Sequence, residues 1–422
     1  MQKKRNMAIR QRVNNPFLLR TVIPDEYFCD RVEETNKIIS YIKSGNNVVL
    51  SAPRRLGKTS MLYHILDNKE IKKTYNTLFV DIYNTYSPED FISTLFNEFK
   101  KAGFSNAEAR KLENIQTETR HEFEINLRPL RYNQSDVTQR KQLNDNIIDR
   151  MFDFFEKTSR PNLIVFDEFQ QIEYYDEKIT TLLRSKIQKA TNSNFIFSGS
   201  SIHMLNSIFN NYNQPFYRSA TQYSMKRISC SAYTEFCERM FSKFDKSIEK
   251  DAVRLAYSLS FGQTEAMQQL LNKTFDITQR NGTASCASVK TAVNEIINER
   301  DEQYKILLHE ITEKDRNLVF CMAQMGIATK LTSADVIRDY NLKSASSVQT
   351  ILNKLTDGDK SIVEKLPEAT YRLRDRYLEF WIAKNMGILE QKFQTADALY
   401  NQLLSIENPK IPSVKKQKGI HF

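Results

Sequence analysis

Apolar positions in the first half of the chain recur at two spacings. Val32, Ile38, Ile39 and Ile42 fall at helical intervals and predict an amphipathic helix. Val48, Val49 and Leu50 then form a short apolar strand, and a second helical pattern opens at Lys58. A further strand over 77–81 ends in Asp81 beside Tyr83 and Asn84, 137–158 reads as helix, and 162–167 and 195–198 are buried strands. Strands alternating with helices over 30–230 predict an α/β fold, a parallel sheet covered by helices on both faces.

From 231 to 310 the strand signal stops. Tyr233, Phe236, Met240 and Phe241 make one helical stripe, and Leu255, Leu259, Ala266, Leu270 and Leu271 make others, so 231–310 is expected to be wholly helical. From 314 to 386 the pattern is a helix with Leu318, Val319 and Met322, a helix over 333–340, a helix over 345–355, strands at 362–363 and 371–373, and a helix carrying Tyr377, Phe380, Trp381 and Ile382. Three helices and a hairpin predict a winged helix. The expected divisions are an arm over 1–20, an α/β core over 21–230, a helical segment over 231–310, the winged helix over 311–388 and a tail over 389–422.

Composition narrows the class. A chain of 422 residues with 40% hydrophobic and 27% charged positions is expected to form two or three domains, and only 10 glycines and 10 prolines exclude collagen-like or largely disordered chains. Apolar runs such as 163–166 are far short of the roughly 20 residues of a bilayer crossing, and the N-terminus has no apolar signal core. Cys29, Cys230, Cys237, Cys286 and Cys321 include no Cys-x-x-Cys pair, which points away from zinc and disulfides and towards a reducing cytoplasm. The net charge of +10 is concentrated at the ends: +6 lies in 1–20 and +3 in 391–422, leaving +1 between them. The two arms read either as DNA-phosphate grips or as solvated tails.

The chemistry lies at the strand ends. Compared with G-x-x-x-x-G-K-[ST], the loop after the first strand has Ala52 for the first glycine and keeps Gly57, Lys58 and Thr59. Gly57 lets the backbone turn so that amides face phosphate oxygens, Lys58 reaches the β- and γ-phosphates, and the Thr59 hydroxyl can ligate Mg²⁺. The strand over 162–167 ends in Asp167 and Glu168, roles for which are the Mg²⁺ shell and the attacking water, against a plain helix-capping role. Arg54 and Arg55 either meet a neighbouring subunit or nucleic acid, or pair locally. Arg184 and Arg218 are candidate charge-stabilising arginines, supplied in cis or across a subunit interface.

These residues, with Asn15-Pro16-Phe17, Phe28, Arg31 and Glu34, Val80-Asp81, Asp167-Glu168-Phe169-Gln170, the 195–201 strand end and the 215–220 segment, resemble the archaeal and bacterial P-loop ATPases of the AAA+/STAND group. The resemblance covers about residues 15–385. It implies an AAA+-like ATPase core that binds ATP and Mg²⁺, a helical lid over 231–310 and the winged helix behind it. It places Pro53, Arg54, Arg55, Leu56, Gly57, Lys58, Thr59 and Ser60 in the phosphate loop and Phe28 and Arg31 at the adenine pocket, where plain core packing is the alternative for Phe28. Ser198 falls at the position that senses the γ-phosphate, though a serine in a turn beside Gly199 reads equally well as structural. No arginine follows Gly262 closely, where a nucleotide sensor is expected, which points to slow turnover.

Partner chemistry is less marked. The 301–390 segment carries 13 positive and 14 negative residues, poor for neutralising DNA phosphates. Its third helix turns Ser347, Gln349, Thr350, Asn353 and Lys354 outward, and Arg372, Arg374 and Arg376 are its best phosphate contacts unless Asp375 and Glu379 pair with them. The resulting expectation is a Mg²⁺-dependent ATPase acting as a switch or motor on a DNA or protein partner, with self-association as an option and no membrane. Its rival is a non-hydrolysing DNA-binding adaptor with a structural nucleotide.

Overall fold

The computed structural model describes residues 13–99, 101–102, 104–127, 134–175, 177–357 and 361–407. The basic positions of 1–12 and 408–422, expected either as phosphate-gripping arms or as solvated tails, lie outside the described residues. Two compact units emerge, one of residues 20–227 and one of 228–407 together with 13–19.

In the first unit five strands, β1 (Val48–Ser51), β2 (Asn76–Asp81), β3 (Asn162–Asp167), β4 (Ser193–Gly199) and β5 (Thr221–Ser224), form a parallel sheet in the order β2-β3-β4-β1-β5. Successive strand residues point to opposite faces, and both faces are covered. Val48, Leu50, Leu163, Val165 and Ile196 join Ile38, Ile39 and Ile42 of helix α1 (Val32–Lys43) and Met61, Leu62 and Ile65 of α2 (Lys58–Asp67) in one core. The alternate residues Val49, Phe166, Phe195 and Phe197 enter a second core with Phe91, Phe155, Phe169, Phe209 and Phe216. The strand rings Phe166, Phe195 and Phe197 lie nearly parallel, and others meet in tilted or edge-to-face pairs, such as Phe169 and Phe197 at 4.6 Å between centroids. Burying such a ring contributes roughly 1.5–3 kcal/mol. One helical position departs from expectation: Val32 is 63% exposed, and the buried face of α1 is Thr35, Ile38, Ile39 and Ile42. Val32 is the first residue of the helix, so it precedes the turn that meets the sheet.

The second unit is helical from Cys230 onward, apart from a short parallel pairing of Ser247–Ile248 with Thr283–Ala284 and the hairpin of the winged helix. It also holds the start of the described chain. Phe17 is fully buried among Phe236, Phe241 and Phe275, and Asn15 donates to the Asn272 carbonyl at 2.9 Å and to Asp276 at 2.7 Å. The winged helix consists of Glu313–Met325, Ala334–Asp339 and Ala345–Thr356, the antiparallel hairpin Val363–Leu366 and Thr370–Leu373, and Arg376–Asn385. Thr312, Ser333 and Ser344 cap its three helices by accepting backbone N–H bonds.

One expectation about this unit is overturned. The segment from 389, read as a charged tail, is the 19-residue helix Leu389–Glu407, because Leu389, Phe393, Ala396 and Leu403 bury a helical stripe. Of the two readings left open for Arg372 and Arg376, phosphate contact and ion pairing, the structure has ion pairing, with each 2% exposed. Arg372 pairs with Glu364 at 2.7 Å, while Arg376 pairs with Glu379, donates to the Leu259 carbonyl at 2.9 Å and stacks 3.6 Å from the centre of the buried Phe261 ring. None of the described helices is long and apolar enough to cross a membrane.

Candidate functional site

The C-terminal ends of β1, β3 and β4 lie side by side because β4 is hydrogen-bonded to both β1 and β3, and Asp167 of β3 and Ser198 of β4 meet Lys58 and Thr59 from the helix that follows β1. After β1 the chain turns through Arg55 and Gly57, both left-handed with φ of 69° and 82°, and enters α2 at Lys58. The first turn of α2 contains no acid, so its positive end is uncompensated. Lys58, 7% exposed, donates from Nζ to Asp167 Oδ1, to Ser198 Oγ at 2.9 Å and to Glu168 Oε1 at 3.3 Å. Thr59 Oγ1 donates to Asp167 Oδ2 at 3.0 Å, and Ser198 Oγ donates to Asp167 Oδ1 at 2.8 Å.

Electrostatics follow from this packing. Burial raises the Asp167 carboxyl, but the Lys58 charge and the hydrogen bonds from Lys58, Ser198 and Thr59 outweigh it and hold the group below the usual carboxylate range. Asp81, opposite Asp167 in the β2–β3 register, goes the other way: burial raises it, as do the charges of Asp167 and Glu168, against the Tyr83 N–H that it accepts. The crevice thus holds an ionised Asp167 locked to a cation, and the Asp81 carboxyl opposite it in the register is shifted upward from its ordinary value.

The donor set fits a nucleotide with a hard divalent ion. A hydroxyl and a carboxylate already converge at Thr59 and Asp167, and the left-handed turns open the loop ahead of a helix N-terminus. Among the described residues no group of three or more His, Cys, Asp or Glu side chains could hold a metal ion by itself.

The other expected site residues divide. Pro53, Arg54, Arg55 and Ser60 are half-buried around the loop and Leu56 is buried beneath it, with Arg54 Nε donating to Ser200 Oγ at 3.3 Å. Arg31 does not present itself to a base. It is 2% exposed and spends its guanidinium on Glu34 at 2.8 Å, the Lys226 carbonyl at 2.6 Å and the Leu56 carbonyl at 3.3 Å, so it braces the phosphate loop from below. Phe28 stacks on His64 with ring centres 4.3 Å apart. Arg218 is exposed with its guanidinium 5.1 Å from the Tyr217 ring centre, outside the lysine–carboxylate cluster, and Arg184 lies on the Glu177–Lys189 helix. Two residues given no role by the sequence reach Glu168: Gln170 Nε2 at 2.5 Å and Ser200 Oγ at 2.9 Å. The signal was their place, each just beyond the end of a central strand.

A parallel sheet whose first strand runs through a glycine-lysine-threonine turn into a helix, with an acid-ended strand two places away, defines a P-loop ATPase core. Residues 28–270 match the family described as an ATPase domain predominantly from Archaea, and the chain belongs to that family. Residues 302–384 match a probable winged helix domain. Among solved structures, the Walker-type ATPase PABY2304 of Pyrococcus abyssi is similar at 17% identity and a TM-score of 0.57, covering 87% of this chain and 99% of that one. The ORC2 protein of Aeropyrum pernix, solved in ADPNP–ADP complexes, is similar at 13% identity and a TM-score of 0.51, covering 91% of this chain and 98% of its own. No curated protein matches the chain.

Proposed function

We propose that this protein is a Mg²⁺-dependent ATPase that works as a nucleotide-controlled switch. The observation that carries the reading is the convergence of Lys58, Thr59, Asp167, Glu168 and Ser198 on one crevice at the strand ends. Lys58 neutralises phosphate oxygens in exchange for its pairing with Asp167. Thr59 and Asp167 hold the metal, which supplies charge neutralisation on the phosphates when bound. Glu168 orients the attacking water, and Ser198 reports the terminal phosphate to β4. Arg218, exposed on a left-handed residue with φ of 53°, is the arginine available to a neighbouring copy.

The winged helix supports a protein partner over direct DNA reading. Lys354, the cation that its third helix turns outward, is paired with Asp315 at 2.6 Å, and Arg372 and Arg376 are buried in ion pairs. DNA contact through the terminal basic segments is the alternative, and it is separable by deletion.

Titration with a fluorescent ATP analogue and a phosphate-release assay test the reading. Lys58→Ala is expected to weaken binding about a hundredfold or more, and Glu168→Gln to keep ATP while slowing release about 10²- to 10⁴-fold. Binding without release in both the parent and Glu168→Gln would instead favour a non-hydrolysing adaptor.

A further inference from the structure

Arg31 meets the phosphate loop at one peptide. Its Nη2 donates to the Leu56 carbonyl at 3.3 Å in a buried contact. The Leu56–Gly57 peptide is trans, so the Leu56 carbonyl and the Gly57 N–H point in opposite directions. A carbonyl drawn inwards to a buried guanidinium therefore turns the Gly57 N–H outwards, to the open side of the loop. That N–H comes one residue before Lys58, and the left-handed φ of 82° at Gly57 carries the chain from this peptide into the first turn of α2.

The guanidinium is itself anchored. Nη1 donates to Glu34 Oε1 at 2.8 Å and to the Lys226 carbonyl at 2.6 Å. Lys226 follows Met225, whose N–H donates to the Ser51 carbonyl at 2.8 Å, so the anchor reaches the end of β1, from which the loop departs. The backbone delivers the side chain to this place at a cost. Asp30 and Arg31 are consecutive left-handed residues, with φ of 57° and 68°, and an arginine persists there only where its surroundings over-determine it. Taking its charge out of water to 2% exposure is also unfavourable, and the bonds to Glu34, Lys226 and Leu56 offset that.

We infer that Arg31 is a positioning residue for phosphate binding: by holding the Leu56 carbonyl inwards it aims the Gly57 N–H at the phosphate oxygens. The inference rests on the ATPase reading above. Arg31 acts from beneath the loop and does not touch the ligand. Its effect belongs to the phosphate end, so it is the same whether or not a base is attached.

The full chain contains a single Leu-Gly pair, residues 56 and 57, so carbonyl-¹³C leucine combined with ¹⁵N glycine labels this one peptide. Parent, Arg31→Met and Arg31→Lys are titrated with a non-hydrolysable ATP analogue and separately with pyrophosphate, with the labelled N–H followed by NMR and affinity by calorimetry. Arg31→Lys keeps a charge for Glu34 and remains informative if Arg31→Met folds poorly. In the parent the Gly57 N–H signal should move downfield on binding. In Arg31→Met that movement should be lost and both affinities should fall by a similar factor, about tenfold or more, with Arg31→Lys between the two. In phosphate release the loss should fall on KM more than on kcat. Weakened analogue binding with pyrophosphate binding intact would return Arg31 to the base, and a Gly57 signal that moves as in the parent would make its role purely structural. Either result overturns the inference, as do unchanged affinities, and each leaves the ATPase reading standing. A parent that binds neither ligand overturns both.

Discussion

Lys58 and Asp167, 109 positions apart in sequence, form a buried ion pair in which each is less than a tenth exposed. Removing one partner strands the other charge away from water, at a typical cost of about 3–5 kcal/mol. Lys58→Met should therefore destabilise the 20–227 unit strongly in urea unfolding, and Lys58→Met with Asp167→Asn should recover most of the loss. A double variant as unstable as the sum of the singles would mean that the two side chains do not interact.

Glu108 provides the clearest pH dependence. It accepts from the Ser105 N–H at 2.8 Å, the Ser105 hydroxyl at 2.7 Å and the Ser159 N–H at 2.7 Å, tying the start of the Asn106–Leu127 helix to the segment before β3. Burial raises its carboxyl, and these bonds more than reverse that, from 4.5 to about 2. A depressed carboxyl contributes stability that is present above its unfolded value and is lost as the pH falls through the folded one. Glu108→Gln should cost about 1–2 kcal/mol at pH 7, and the gap from the parent should narrow between pH 4.5 and 2.

Phe17 should matter to the helical unit and not to the sheet. Truncating a fully buried aromatic costs about 3–5 kcal/mol. Phe17→Ala should lower protection from hydrogen exchange in Cys230–Ser242 and Thr264–Ile277, which supply Phe236, Phe241 and Phe275, while β1 and β4 exchange as before. Faster exchange in the strands would contradict this.

The sheet and the crevice were legible because they follow from spacing. Alternation sends Val49 and Phe197 to one face and Leu50 and Ile196 to the other, and a strand that ends in acids can only present them at its ligand end. What spacing does not reveal is where a long cation finds its partner. Arg31 reads as a ligand residue, and Arg372 and Arg376 read either as phosphate contacts or as partners of Asp375 and Glu379, because arginine is normally solvated; Glu34, Glu364 and Glu379 draw all three inside. The Leu389–Glu407 helix was hidden in the same way: Lys392 counted towards a basic tail, whereas it is buried at 3.2 Å from Glu379. Gln170 and Ser200 were missed because neutral side chains gain a role only from the carboxylate that they meet.

DNA affinity, if measured, should map to the chain ends. Lys354 is neutralised by Asp315, so Lys354→Ala should leave affinity unchanged at every salt concentration. Removing 1–12 and 408–422 deletes Lys3, Lys4, Arg5, Arg10, Arg12, Lys410, Lys415, Lys416 and Lys418 and should flatten the salt dependence in proportion to the phosphates they neutralise. The cut at 12 spares Asn15 and Phe17, so the helical unit keeps its anchor. An undiminished slope after both deletions would place the contact elsewhere on the protein.

Glu379 holds together the interior of the C-terminal unit. Fully buried, it faces Arg376 through one oxygen and Lys392 through the other, and Lys392 also donates to the Gln324 carbonyl at 3.0 Å. Burial lowers the Lys392 ammonium despite Glu379, which favours its charge, so the cation depends on this carboxylate. Glu379→Ala leaves two cations without a counter-charge and should cost about 3–5 kcal/mol. Adding Lys392→Met should return part of that loss, because one buried charge goes and an apolar chain of similar length replaces it. Arg376 would remain, stacked on Phe261 and bonded to the Leu259 carbonyl, so recovery should be incomplete. Full recovery would show that Arg376 is satisfied by its ring and carbonyl alone; none would show that Lys392 contributes nothing to the pairing.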